Sequence, residues 1–246
     1  MKYSSLLILL FLVQGITAQN PTDIIRKSEN KLRGDHSSGT LEMTIERPGW
    51  NRSMTMKTWS RGNEYSMILV TEPARDKGTV YLKRQNEIWN WVPSVERTIK
   101  LPPSMMSQSW MGSDFTNDDL VQESSILKDY THKLLGEESL RNMECYKIKL
   151  TPKPEAAVVW GKVITWISKD EYLQLKTEFY DEDDELVNTL EGFEIKELGG
   201  KRLPSKLIMT PANEPGNRTI MRQLSLNFDD EQAEGFYTTQ NMKRLR

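Results

Sequence analysis

From residue 40 onward the chain repeatedly falls into a two-residue hydrophobic period, and a short polar turn closes each alternating stretch. Side chains that alternate between two faces define a β-strand with one buried side. Residues 40–47 set Leu41, Met43 and Ile45 against Thr40, Glu42, Thr44 and Glu46. After Pro48-Gly49-Trp50-Asn51, residues 53–60 carry Met54 and Met56 on one face. Arg61-Gly62-Asn63 then turns the chain into 64–71, where Tyr65, Met67 and Leu69 oppose Ser66, Ile68 and Val70. Residues 79–83, 88–92 (with Trp89 and Trp91 on one side) and 95–101 complete an antiparallel meander.

Alternation resumes at 131–135 and 145–150, which flank Gly136-Glu137-Glu138, and continues through 158–168, 173–180, 186–198, 203–210 and 219–228. Connections this short leave no room for the crossover helices of a parallel sheet. The expected fold is mainly β with a few helices (α+β): one curved sheet or open barrel of about ten or eleven antiparallel strands. Residues 22–32 read as an amphipathic helix that starts at Pro21 or Thr22 and ends at Gly34. Ile24, Ile25, Ser28 and Leu32 fall on one side of it, and that side must lie on the sheet. Residues 236–245 read as a short closing helix.

Residues 104–119 break the period. They hold Met105, Met106, Trp110, Met111 and Phe115 without strand alternation, and Thr116 or Asn117 is placed to cap a turn of helix through Val121. An apolar stretch of this kind needs a surface to bury against, and a lid over the concave face of the sheet supplies one.

The N-terminus reads as an export signal: Lys2, an apolar run over 6–13, and a small Ala18 before the expected cleavage point. The run is far short of the roughly 20 residues that span a bilayer. Cleavage makes Gln19 the new N-terminus, where a bacterial lipoprotein needs Cys, so the mature chain is expected to be unlipidated and soluble. It then forms one domain, residues 19–246. The single Cys145 excludes an internal disulfide and reads as a buried apolar residue. With 33 basic against 35 acidic side chains and no basic block, nucleic acid is not an expected partner.

Few residues offer chemistry. His36 and His132 belong to no metal-binding spacing, and Asp181-Glu182-Asp183-Asp184-Glu185 lacks the Gly and Glu of a calcium loop, so no metal is expected. No nucleophile elbow, dinucleotide fingerprint or phosphate loop occurs, so no catalytic residue and no cofactor is assigned. Asp114, Asp118 and Asp119 sit beside the lid among capping residues, which favours loop-fixing over acid–base work. The 12 Met and 7 Trp stand out instead. Met43, Met54, Met56, Met67, Trp89 and Trp91 in the meander, with Met105, Met106, Trp110, Met111 and Phe115 in the lid, either fill a core or present an adaptable surface to an apolar guest.

Trp110-Met111-Gly112-Ser113-Asp114-Phe115-Thr116-Asn117-Asp118-Asp119-Leu120 resembles the segment typical of the outer-membrane lipoprotein-sorting, LolA-like superfamily, in its broader branch rather than LolA itself. The opening helix, Trp89-Asn90-Trp91-Val92-Pro93, Lys100-Leu101-Pro102 and Lys147-Ile148-Lys149-Leu150-Thr151-Pro152 extend the likeness over nearly the whole mature chain. The resemblance implies an unclosed β-barrel with a helical lid, and a hydrophobic cavity lined by the Met, Trp and Phe residues above. It places Gly112, Asp114 and Asp118 in a structural lid loop. It further implies a non-enzymatic periplasmic carrier or chaperone for the acyl chains of a lipoprotein or lipid, moving towards the outer membrane. The donor would be an inner-membrane exporter of the ABC or RND type, with only transient membrane contact. Two other readings stand beside it: an exporter subunit that carries nothing, and a hydrolase using Asp114 or Asp118.

Overall fold

The computed structural model describes residues 19–121, 126–156 and 158–245, so the expected signal segment lies outside the described residues. Helix α1 (Pro21–Arg33) opens the fold. Asn20 caps it by accepting the Thr22 N–H at 3.0 Å, Pro21 occupies the first turn where no N–H is needed, and Gly34 ends it at a φ of 66°. Ile24, Ile25, Ser28 and Glu29 form its buried face.

Six strands follow: β1 (His36–Arg47), β2 (Trp50–Arg61), β3 (Tyr65–Glu72), β4 (Val80–Arg84), β5 (Glu87–Val92) and β6 (Arg97–Lys100). The lid carries helix α2 (Asn117–Val121), and helix α3 (Ile126–Asp129) leads back into the sheet. The second series is β7 (Tyr130–Leu140), β8 (Met143–Pro152), β9 (Lys162–Ser168), β10 (Gln174–Tyr180), β11 (Leu186–Leu198), β12 (Lys201–Pro211) and β13 (Arg218–Asn227).

All join one antiparallel sheet in the order β6-β5-β4-β3-β2-β1-β13-β12-β11-β10-β9-β8-β7. The two meanders meet where β13 returns to pair with β1, with Met43 opposite Met221 and Ile45 opposite Thr219. Strands β6 and β7 remain as the two edges, so the barrel is unclosed. No helix among the described residues is long and apolar enough to cross a membrane.

Three local expectations differ from the outcome. Among the described residues the sheet has thirteen strands rather than about ten or eleven, because each of the alternating stretches, down to the four residues Arg97–Lys100, pairs as a separate strand. Gly136-Glu137-Glu138 lies inside β7 at a bulge, and the hairpin turns instead at Arg141-Asn142, both at positive φ as a tight two-residue turn requires. The closing helix shrinks to a single 3-10 turn (Glu234–Phe236) and α4 (Thr239–Met242).

The first meander is covered on both faces. On one side Trp110 packs into Met43, Met54, Met56 and Val70. On the other, Tyr237 and Met242 pack onto Met67, Leu69, Val80 and Leu82. The second meander is covered by α1, whose Ile24 and Ile25 reach Tyr146, Ile148, Leu150 and Ile167.

Candidate functional site

The lid is fastened by its polar residues. Thr116 and Asp119 form a reciprocal capping box at the start of α2: the Thr116 hydroxyl accepts the Asp119 N–H at 3.1 Å, and the Asp119 carboxylate accepts the Thr116 N–H at 2.7 Å. The other oxygen of Asp119 accepts the indole N–H of Trp160 at 3.1 Å, tying the lid to the segment before β9. Upstream, Arg47 grips Asp114 with both guanidinium nitrogens at 2.9 and 3.1 Å, and also donates to the Gly112 carbonyl at 3.2 Å. Asp114 further accepts the Thr219 hydroxyl at 2.6 Å. The lid loop is thus bolted to the seam where β1 meets β13, by charge-assisted bonds held in a buried setting.

Beside this lid lies a cavity of about 170 Å³. Its roof is α1 (Ile25, Ser28, Glu29) together with Phe115 and Asp118 of the lid, and its floor runs across β8 to β13. Leu150, Val163, Ile167, Phe179, Leu207 and Met209 make that floor predominantly apolar. Trp160 closes one wall, its ring 5.1 Å from that of Phe179. On the scale where a single water needs about 10–15 Å³, this space is large.

Polar groups line the cavity at the lid, with Asp118 and Asp119, and on β9 and β10, with Thr165, Gln174 and Thr177. Asp118 is buried, and its N–H donates to the Met106 carbonyl at 2.8 Å. Burial, then the carboxylates of Asp118, Asp119 and Asp129, push the Tyr130 hydroxyl well above its ordinary range, so it stays protonated. Among the described residues no cluster of His, Cys, Asp or Glu is arranged to hold a metal.

The residues singled out in the sequence fall into three places. Phe115 and Asp118 line the cavity. Met43, Met54, Met56, Trp110 and Met111 form the packed layer beneath the lid, and Met106 packs against Ile88 and Leu101. The Met105 carbonyl accepts the Asn117 amide at 2.9 Å. Met67, Trp89 and Trp91 lie on the far face of the sheet, against the C-terminal segment, and do not line this cavity. The remaining walls come from α1 and the second meander, whose alternation carried the signal without the unusual composition that drew attention to the first.

Residues 62–244 match the model of a family described as uncharacterized protein. The chain belongs to that family. The matched stretch includes the lid and every strand under the cavity, while α1 lies outside it. The fold is similar to that of solved proteins that include a LolA superfamily member. A DUF1329 family protein from Desulfovibrio piger superposes with a TM-score of 0.83 at 24% identity, over 90% of this chain and 97% of that one. A protein described as an outer membrane lipoprotein-sorting protein domain, from Vibrio parahaemolyticus, gives 0.81 at 22% over 91% and 98%. A LolA superfamily protein from Nitrosomonas europaea gives 0.78 at 23% over 91% and 99%. No curated protein matches the chain in sequence. The structural likenesses span about nine-tenths of this chain, more than the stretch matched by the family model.

Proposed function

We propose that this protein is a non-enzymatic carrier that buries the acyl chains of a lipoprotein or lipid beneath α1 and the lid and moves them through the periplasm. The observation that carries this reading is the apolar cavity between α1 and strands β8 to β13. The similarity in fold to the lipoprotein-sorting domain from Vibrio parahaemolyticus supports it. Each methylene removed from water contributes about 0.8 kcal/mol, so affinity comes from burial alone. Release needs an acceptor that competes for the chains, or movement of the lid.

Residues 1–18 would direct export and Gln19 would leave the mature chain without a lipid anchor, which suits a shuttle. An inner-membrane ABC or RND-type exporter is the proposed donor, and the outer membrane the proposed destination. Asp114 is a poor acid–base candidate, because both its oxygens are held by Arg47.

The test is extraction of lipid from protein purified out of its own periplasm, alongside uptake of a fluorescent fatty acid. Co-purifying acyl species and saturable uptake are expected, with uptake falling at least about tenfold in Phe179→Asp, a charge no acyl chain can pair with. Neither co-purifying lipid nor uptake in the folded protein would sink the carrier and leave the cargo-free exporter subunit as the better reading.

A further inference from the structure

A second, smaller apolar chamber of about 60 Å³ lies in series with the cavity along α1. The first sits beneath Ile25 and Ser28, and the second beneath Ser28, Lys31 and Leu32. They share Ser28, Gln174, Thr177, Leu190 and Leu207 as a common wall. The far end is closed by the last turn of α1, where Lys31 donates to the Glu171 carbonyl at 2.8 Å.

The common wall has a polar step in an otherwise apolar passage. Gln174 donates its amide to the Thr177 hydroxyl at 2.7 Å, and Thr177 is 3.1 Å from the hydroxyl of Thr165. Thr165 and Thr177 are both buried. The step is held from outside: at the irregularity in pairing between β10 and β9, Arg141 donates to the carbonyls of Leu175 and Gly192 at 2.9 and 2.8 Å. A bulge re-aims the side chains next to it, and here it brings Gln174 and Thr177 together at the junction.

The geometry points to a chain-length selector: an alkyl chain fills the first chamber, and the Gln174–Thr177–Thr165 step sets where it stops gaining affinity. This rests on the acyl-carrier reading. Up to the step, each methylene moves from water into an apolar wall. At the step, a methylene meets hydroxyl and amide groups already satisfied by each other, and it cannot pass without separating them. A longer tail must therefore fold back or leave its end in water. Removing the step joins the two chambers, and filling the second chamber closes it.

The experiment is displacement of a bound fluorescent fatty acid by straight-chain fatty acids graded from octanoate to stearate. In the natural protein Kd should fall about fourfold per methylene, which is about 0.8 kcal/mol expressed as a ratio, and then level off at one length. Thr177→Val keeps the shape of the side chain and removes the hydroxyl, so the plateau should shift to longer chains. Two further methylenes would tighten binding by about fifteenfold. Leu32→Trp fills the second chamber from α1 and should abolish that gain when added to Thr177→Val. A folded Thr177→Val protein with its plateau at the natural length overturns the selector, while acyl binding itself stands. If that variant does not fold, Gln174→Leu tests the same step from the other partner, and an unmoved plateau has the same meaning. A natural protein that binds no fatty acid of any length removes both the selector and the carrier reading on which it rests.

Discussion

His132 shows how one side chain joins elements far apart in the sequence. Its Nδ1 lies 2.9 Å from the Thr22 hydroxyl on α1, and its Nε2 lies 2.9 Å from the Ile126 carbonyl on α3. A neutral ring satisfies both partners: Nε2 donates to the carbonyl and Nδ1 accepts the hydroxyl proton. Burial holds its pKa below the usual 6.5, the Ile126 carbonyl opposes that shift, and the charges of Lys153 and Arg26 add to it. Folding therefore favours the deprotonated ring. The associated stability is full above the unfolded pKa and is lost as pH falls from there through the lower folded value. His132→Asn should cost about 1 kcal/mol at neutral pH, through one lost hydrogen bond. It should also unfold with a shallower loss of Tm than the natural protein between pH 7 and 5. Thermal melts across that range decide it, and parallel profiles for the two proteins would remove His132 from the acid response.

At the scale of elements, the lid depends on the Arg47–Asp114 pair. Their side chains are only 14% and 6% exposed, so removing one charge leaves the other buried without a counterion. Such a loss costs about 3 kcal/mol, which lowers Tm by something on the order of 8 °C in a chain of this size. Asp114→Asn should show that drop, and proteolysis between Met105 and Thr116 should accelerate as the loop loosens. A variant with natural Tm and natural protease resistance would show that the bolt contributes nothing to the lid. Much of this element was legible beforehand. The mixture of Thr116, Asn117, Asp118 and Asp119 after an apolar run signalled a capped turn, and Thr116 with Asp119 is the pair that forms it. The faces of the strands were less legible. In Tyr65–Glu72 both faces carry large apolar residues, with Met67 and Leu69 against the C-terminal segment and Ile68 and Val70 against the lid layer. A strand covered on both sides carries no mark of which side holds a cavity. Arg47 gave no signal because its partner is 67 residues away and the seam of β1 with β13 exists only in the folded sheet.

For the whole molecule, the division of labour follows from how each half of the sheet is covered. The first meander is packed between the lid layer and the C-terminal segment, and its methionines are consumed as core. The second is roofed by α1 and the tip of the lid, which leave 170 Å³ unfilled. A mainly apolar pocket of that size leaves its walls short of packing partners, which costs the fold stability. A chain selected only for stability would fill it. Val163→Phe directs added volume from β9 into this space, so it should raise stability by about 1 kcal/mol while lowering fatty-acid uptake at least about tenfold. Calorimetry of the lipid-free protein and fluorescent-acid titration of the same samples measure both effects. Higher Tm with nothing to lose in uptake would mean that the cavity is a packing defect. Lower Tm with full uptake would mean that the space is not where the chain binds. Higher Tm together with lost uptake is the signature of a hollow kept open for a guest.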